Sequence, residues 1–109
     1  MQNSASKIWQ SPLSQRLVET LASIADTKTM QKFLGDVMTE KEITEISARL
    51  EAARLLQQGA KYQDIIIQTK LSTRTIARIS EWLKNGYGGY EAALATMHHH
   101  RPKSRLEAV

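Results

Sequence analysis

Between Gly59 and Leu83 the chain reads GAKYQDIIIQTKLSTRTIARISEWL, and this stretch constrains the fold more than any other. Tyr62, Ile65, Ile66 and Thr69 recur at i, i+3, i+4 and i+7, which puts them on one face of a short helix. Lys70 and Leu71 make a tight turn, with Leu71 directed inward. Ser72 is suited to cap a second helix, because its hydroxyl can accept from amides that lack helical partners. In that second helix Ile76, Ile79 and Leu83 share an inner face. A rotation of about 100° per residue places Arg74, Ala77, Arg78 and Glu81 opposite them. The pattern is the sequence form of a helix-turn-helix over residues 61–84.

In such a motif the first residues of the second helix meet base edges in the DNA major groove. Thr73 and Arg74 stand there, with Arg78 one turn further on. Arginine matches the two acceptors of guanine, and threonine offers thymine a hydroxyl or a methyl group. Gln63, Lys70, Ser72 and Thr75 are placed for the phosphate backbone, where free helical amides and the helix dipole also attract an anion. Ala77 is small enough to let the helix lie close to the bases. Pattern alone leaves a plainer reading open, since helix pairs with a turn occur in many helical proteins and an exposed arginine is usually just solvated. Lys70 also departs from the motif: the position tends to a positive φ and favours glycine. A lysine there costs roughly 1 kcal/mol.

The rest of the chain is also helical in period. Residues 1–10 lack periodicity and are expected to be an arm. Ser11 and Pro12 make a helix start, followed by an apolar stripe of Leu13, Leu17, Leu21 and Ile24 with Val18 beside it. Thr27 to Met38 carries Met30, Phe33, Leu34, Val37 and Met38 on one side. Thr39-Glu40-Lys41-Glu42 is a capping box, and the helix it opens should be the longest, with Ile43, Ile46, Leu50, Ala53 and Leu56 or Gln57 as its buried stripe. Gly59 is placed to end it in a left-handed turn. Tyr90 to Met97 can form a last helix, and residues 98–109 make a basic tail. Nothing alternates with the period of a strand, so the expected fold is all-α, with one helical domain over residues 11–97.

Composition narrows the function. The 109 residues suit one domain, and helical chains this short often complete their cores by dimerising. Without cysteine there is no disulfide, which suits a reducing compartment. No apolar run approaches the roughly 20 residues that cross a bilayer. The start, with Lys7 followed only by Ile8 and Trp9 before polar residues, lacks a signal peptide's apolar core, so a cytoplasmic, nucleoid-associated protein is expected. The net charge of +4 fits a polyanionic partner. Residues 60–84 carry Lys61, Lys70, Arg74, Arg78 and Lys84 against Asp64 and Glu81, so most of that surplus sits in the motif.

The order of these features resembles the Trp repressor superfamily, and specifically its small YerC/YecD-type branch. The resemblance rests on the capped helix MTEKEITEISARLEAARLLQQG, the helix-turn-helix that follows directly, and the segment NGYGGYEAAL. Residues that carry it include Thr39, Glu42, Ile43, Arg49, Leu50, Glu51, Ser72, Thr73, Thr75, Ile76, Arg78 and Tyr90, and it runs from about Leu17 to Thr96. It implies an all-helical, intertwined homodimer that presents two recognition helices to a pseudo-palindromic site on double-stranded DNA. The unpartnered stripes of the first two helices point the same way.

Two departures limit what carries over. Thr39, Arg49 and Arg78 match residues around the family's tryptophan site, making them the candidate effector pocket. A glycine that leaves room for the indole is replaced by Ile79, whose side chain would fill that space, so no tryptophan dependence is expected; the residues name no cofactor, and an unidentified small-molecule effector stays open. For Arg49 the residues themselves favour an ion pair with Glu45 at i−4 over a ligand role. The second departure is Ile65-Ile66-Ile67, which puts at least one isoleucine outside the first helix's core stripe, as a packing, dimer or partner contact.

His98-His99-His100, the chain's only histidines, lack the fixed geometry of a metal site, and with Arg101, Lys103 and Arg105 read better as a basic arm. No phosphate-binding glycine loop, nucleophile elbow or HExxH motif appears, so no catalytic role is expected. The expected function is sequence-specific DNA binding by a transcriptional regulator. The alternative is a helical protein-interaction module that keeps the motif's shape without reading DNA.

Overall fold

The computed structural model describes residues 4–99, whose regular elements are all helices, with no strand among them. A 3-10 helix, Ser4–Gln10, precedes six α-helices: α1 Pro12–Ser23, α2 Thr27–Val37, α3 Glu40–Gln57, α4 Tyr62–Thr69, α5 Thr73–Asn85 and α6 Gly89–His99. The segment expected as an arm is therefore wound from Ser4. A helix with three residues per turn leaves no 3.6-residue pattern to read. Gln15 Nε2 holds it to α1 by donating to the Trp9 carbonyl at 2.9 Å. Of the expected tail, His98 and His99 close α6, and the remainder lies outside the described residues.

The chain packs as two compact units, dividing at Thr44/Glu45 inside α3. In the first unit, Ser11 caps α1 by accepting from the Leu13 amide at 3.2 Å. Asp26 caps α2 through both the amide and the hydroxyl of Thr29, which hold its carboxyl below the usual aspartate range. The capping box closes reciprocally: the Thr39 amide donates to Glu42 Oε1 at 2.8 Å, and the Glu42 amide donates to Thr39 Oγ1 at 3.1 Å. Neither α1 nor α2 contains a buried residue, and Leu13 on the apolar stripe is 74% exposed.

The core lies in the second unit. Ala52, Ala53 and Leu55 of α3 meet Ile65 of α4, Ile76 and Ile79 of α5, and Leu94 of α6. Full burial of an isoleucine contributes about 1.5–3 kcal/mol, so the three isoleucines dominate this small cluster. The expected α3 stripe is corrected here. Only Ala53 of it is fully buried, Leu50 and Leu56 pack at the margin, Gln57 is exposed, and Ile46 is 53% exposed. The C-terminal half of α3 supplies the core instead, through two adjacent alanines that let backbones approach. After Gln57, α3 ends in a Schellman turn: the Ala60 amide donates to Leu55 O and the Gly59 amide to Leu56 O, each at 3.0 Å, with Gly59 at φ +83°.

Candidate nucleic-acid interface

Helices α4 and α5 are joined by Lys70, Leu71 and Ser72. The Lys70 amide donates to Ile66 O at 2.8 Å and closes α4, while Lys70 itself adopts φ 62°, ψ 18°. Thr69 Oγ1 donates to Ile65 O at 2.7 Å and accepts from the Leu71 amide at 3.2 Å. Leu71 packs against the core, which fixes the angle at which the chain enters α5. Ser72 Oγ then accepts from the Thr75 amide and donates to Thr75 Oγ1, both at 3.1 Å. The cap leaves the first helical amides without intrahelical partners, at the positive end of the α5 dipole.

The two faces of α5 are sharply different. Ile76 and Ile79 are 0% exposed, whereas Thr73, Arg74, Ala77, Arg78 and Glu81 are all exposed. Burial on one side thus pins the helix and holds a Thr- and Arg-bearing face in solvent. Gln63, Lys70 and Ser72 are exposed beside it and Thr75 is half-buried. Glu81 is turned toward the end of the helix, where its Oε2 accepts from Asn85 Nδ2 at 2.7 Å. The geometry offers guanidinium and hydroxyl donors near a helix N-terminus, which suits base edges and phosphate oxygens.

This architecture can be set beside known proteins. The family model described as Trp repressor protein matches residues 13–98. The chain belongs to the Trp repressor family. A relative from Bacillus subtilis (strain 168), "Uncharacterized protein YerC", is 37% identical over 79 residues, covering 72% of this chain and 76% of that protein. The crystal structure of a TrpR like protein from Eubacterium eligens ATCC 27750 matches with a TM-score of 0.79 at 29% identity, over 84% of this chain and 95% of that one. The chain is thus an all-helical, YerC-type member of a family of helix-turn-helix DNA-binding regulators. Among the described residues no helix is long and apolar enough to cross a membrane.

Thr39, Arg49 and Arg78, the residues expected as an effector pocket, have distinct surroundings. The Thr39 hydroxyl is engaged in the α3 cap. Arg78 is exposed on the outer face of α5. Arg49 is half-buried, and its Nε is buried without a hydrogen-bond partner. The expected Arg49–Glu45 ion pair is not formed. Glu45 stays exposed; burial pushes the Tyr90 phenol upward in pKa, and the Arg49 charge pulls it partly back. The ion pair that does form on α3 joins Glu51 to Arg54, which donates from Nε to Oε1 at 2.9 Å and also from Nη2 to Oε2.

The back of α5 packs against α6. Trp82 stacks on Tyr90. Leu56, Gln57, Ser80, Leu83, Lys84 and Glu91 line a shallow cavity of about 250 Å³ there, which contains none of the expected effector residues. Leu94, a core residue, could have been read from its i+4 spacing to Tyr90. Of the isoleucine triplet, Ile65 is buried, Ile66 packs at the margin and Ile67 is 73% exposed. The side chains of the histidine run lie outside the described ones.

Proposed function

We propose that this protein is a sequence-specific transcriptional repressor that binds a pseudo-palindromic operator as a homodimer and acts by occlusion. The division of α5 into a fully buried Ile76/Ile79 face and an exposed Thr73/Arg74/Arg78 face carries the reading. Thr73, Arg74 and Arg78 address bases or the adjacent phosphates, and Gln63, Lys70, Ser72 and Thr75 address the backbone. The free amides at the capped start of α5 add an anion site. Two-fold pairing is supported by the exposed stripe of Leu13, Leu17 and Val18 on α1 and by an α2 with nothing buried. A second copy would cover such faces and space two recognition helices about one DNA turn apart.

The repressor works without tryptophan. Ile79 stands where the resemblance places the glycine that leaves room for an indole, and its side chain is part of the core. Selection of bound sequences from a random duplex library tests the proposal, with wild type and Arg74→Ala/Arg78→Ala compared. Enrichment of a palindromic half-site by wild type, lost in the double variant, is expected. No enrichment by folded protein would overturn it. Ile67, fully formed on α4 yet exposed, favours the second reading of a protein-interaction module. An apolar interface would respond little to salt, whereas phosphate binding weakens steeply as salt rises.

A further inference from the structure

Lys70 is the only described residue other than glycine with a left-handed backbone. The turn does not need its side chain. Its hydrogen bonds come from the Lys70 and Leu71 amides, the Ile65 and Ile66 carbonyls and the Thr69 hydroxyl, all of which a glycine at position 70 would leave intact. Among the described residues the Lys70 ammonium makes no hydrogen bond and no ion pair. The side chain is exposed, two residues before the cap that opens α5. A side chain that strains its own turn and contributes nothing inside the fold points to a use outside it. The compact, strongly hydrated charge of lysine suits a phosphate oxygen as a point contact.

We propose that at Lys70, the backbone contact named above, DNA affinity and fold stability are opposed: the helix-turn-helix gives up stability to hold a cation against the phosphates. The proposal rests on the DNA-binding reading above and deepens it. In its absence the turn would be glycine-like and firmer, and the recognition face would lose a cation at the point where the strand passes the start of α5.

The test uses the full chain, a mixed-sequence DNA duplex and a salt series, with Lys70→Gly, Lys70→Gln and Lys70→Arg compared by binding isotherm and thermal melt. Lys70→Arg should keep the wild-type salt dependence. Lys70→Gly and Lys70→Gln should each lower the slope of log K against log[salt] by about one per protomer and weaken binding about tenfold per protomer near 0.1 M salt. Lys70→Gly alone should also raise Tm by roughly 2–5 °C, because it relieves the left-handed strain. Retention of the wild-type slope by both neutral variants, or a Lys70→Gly protein that melts below wild type, overturns the proposal. Wild-type protein without salt-dependent binding overturns the DNA-binding reading and this proposal with it, an outcome no variant can mimic.

Discussion

The rings of Trp82 and Tyr90 stack with centroids 6.4 Å apart and planes 21° from parallel, tying the back of the recognition helix α5 to the first turn of α6. Trp82 is 43% exposed and Tyr90 half-buried, so the pair is a clasp at the edge of the core rather than part of its interior. A cycle of Trp82→Leu, Tyr90→Leu and the double variant should give a coupling of about 0.5–1.5 kcal/mol by denaturant unfolding at fixed protein concentration. Strict additivity would mean that the stacking holds nothing.

Gly86 and Gly59 end their helices for different reasons, and alanine should separate them. Gly59 has φ +83° with open space around a Cβ, so Gly59→Ala should cost only the left-handed penalty of about 1–2 kcal/mol. At Gly86 a Cβ would lie 2.5 Å from the Trp82 carbonyl oxygen, a backbone atom that cannot step aside. Gly86→Ala should therefore be the more destabilising and should perturb Trp82 fluorescence, which Gly59→Ala should leave as in wild type.

The capping box at the start of α3 predicts that Thr39→Ala loses about 1 kcal/mol, largely restored by Thr39→Ser, because the stabilising bond is from the Glu42 amide to a hydroxyl. Chemical denaturation of the three proteins decides it. Equal losses for alanine and serine would place the effect in the threonine methyl instead.

Acid should weaken the fold through two carboxylates. Glu51 is held below its ordinary pKa by hydrogen bonds from Arg54, and Asp26 by the hydroxyl and amide of Thr29. Folded values below the unfolded ones mean that the stabilisation is present at neutral pH, above the unfolded values of about 4. It fades as pH falls through the folded values. The Glu51–Arg54 share is small, a few tenths of a kcal/mol, since both groups are more than a third exposed and screened. Denaturant midpoints taken between neutral and acid pH should fall with pH, and Asp26→Asn should flatten part of that fall.

Ile79 has two consequences. Ile79→Ala should cost about 2–5 kcal/mol, because a fully buried side chain is removed from a seven-residue core. Wild-type protein titrated with L-tryptophan should show no saturable rise in Tm; a clear rise would mean that the pocket survives around the isoleucine.

Much of the structure could be read from local chemistry. The capping box, the Schellman glycine, the Ser72 cap and the positive φ of Lys70 each depend on groups within a few residues of one another, so residue type and spacing suffice to place them. The inner and outer faces of α5 follow for the same reason, since the periodicity of Ile76 and Ile79 is set by the helix itself. The choice among equally spaced apolar residues was not local. Ile46 and Ala53 both lie on the expected α3 stripe, yet only Ala53 meets α4, α5 and α6. Arg49 likewise had Glu45 one turn away on its own helix, yet it forms no ion pair with it and its Nε is buried without a partner. The sequence by itself determined where helices start, stop and turn, because those bonds close within a helical turn. Tertiary structure alone decided which faces are buried and which side chains meet, because such contacts depend on what distant segments bring to the same place.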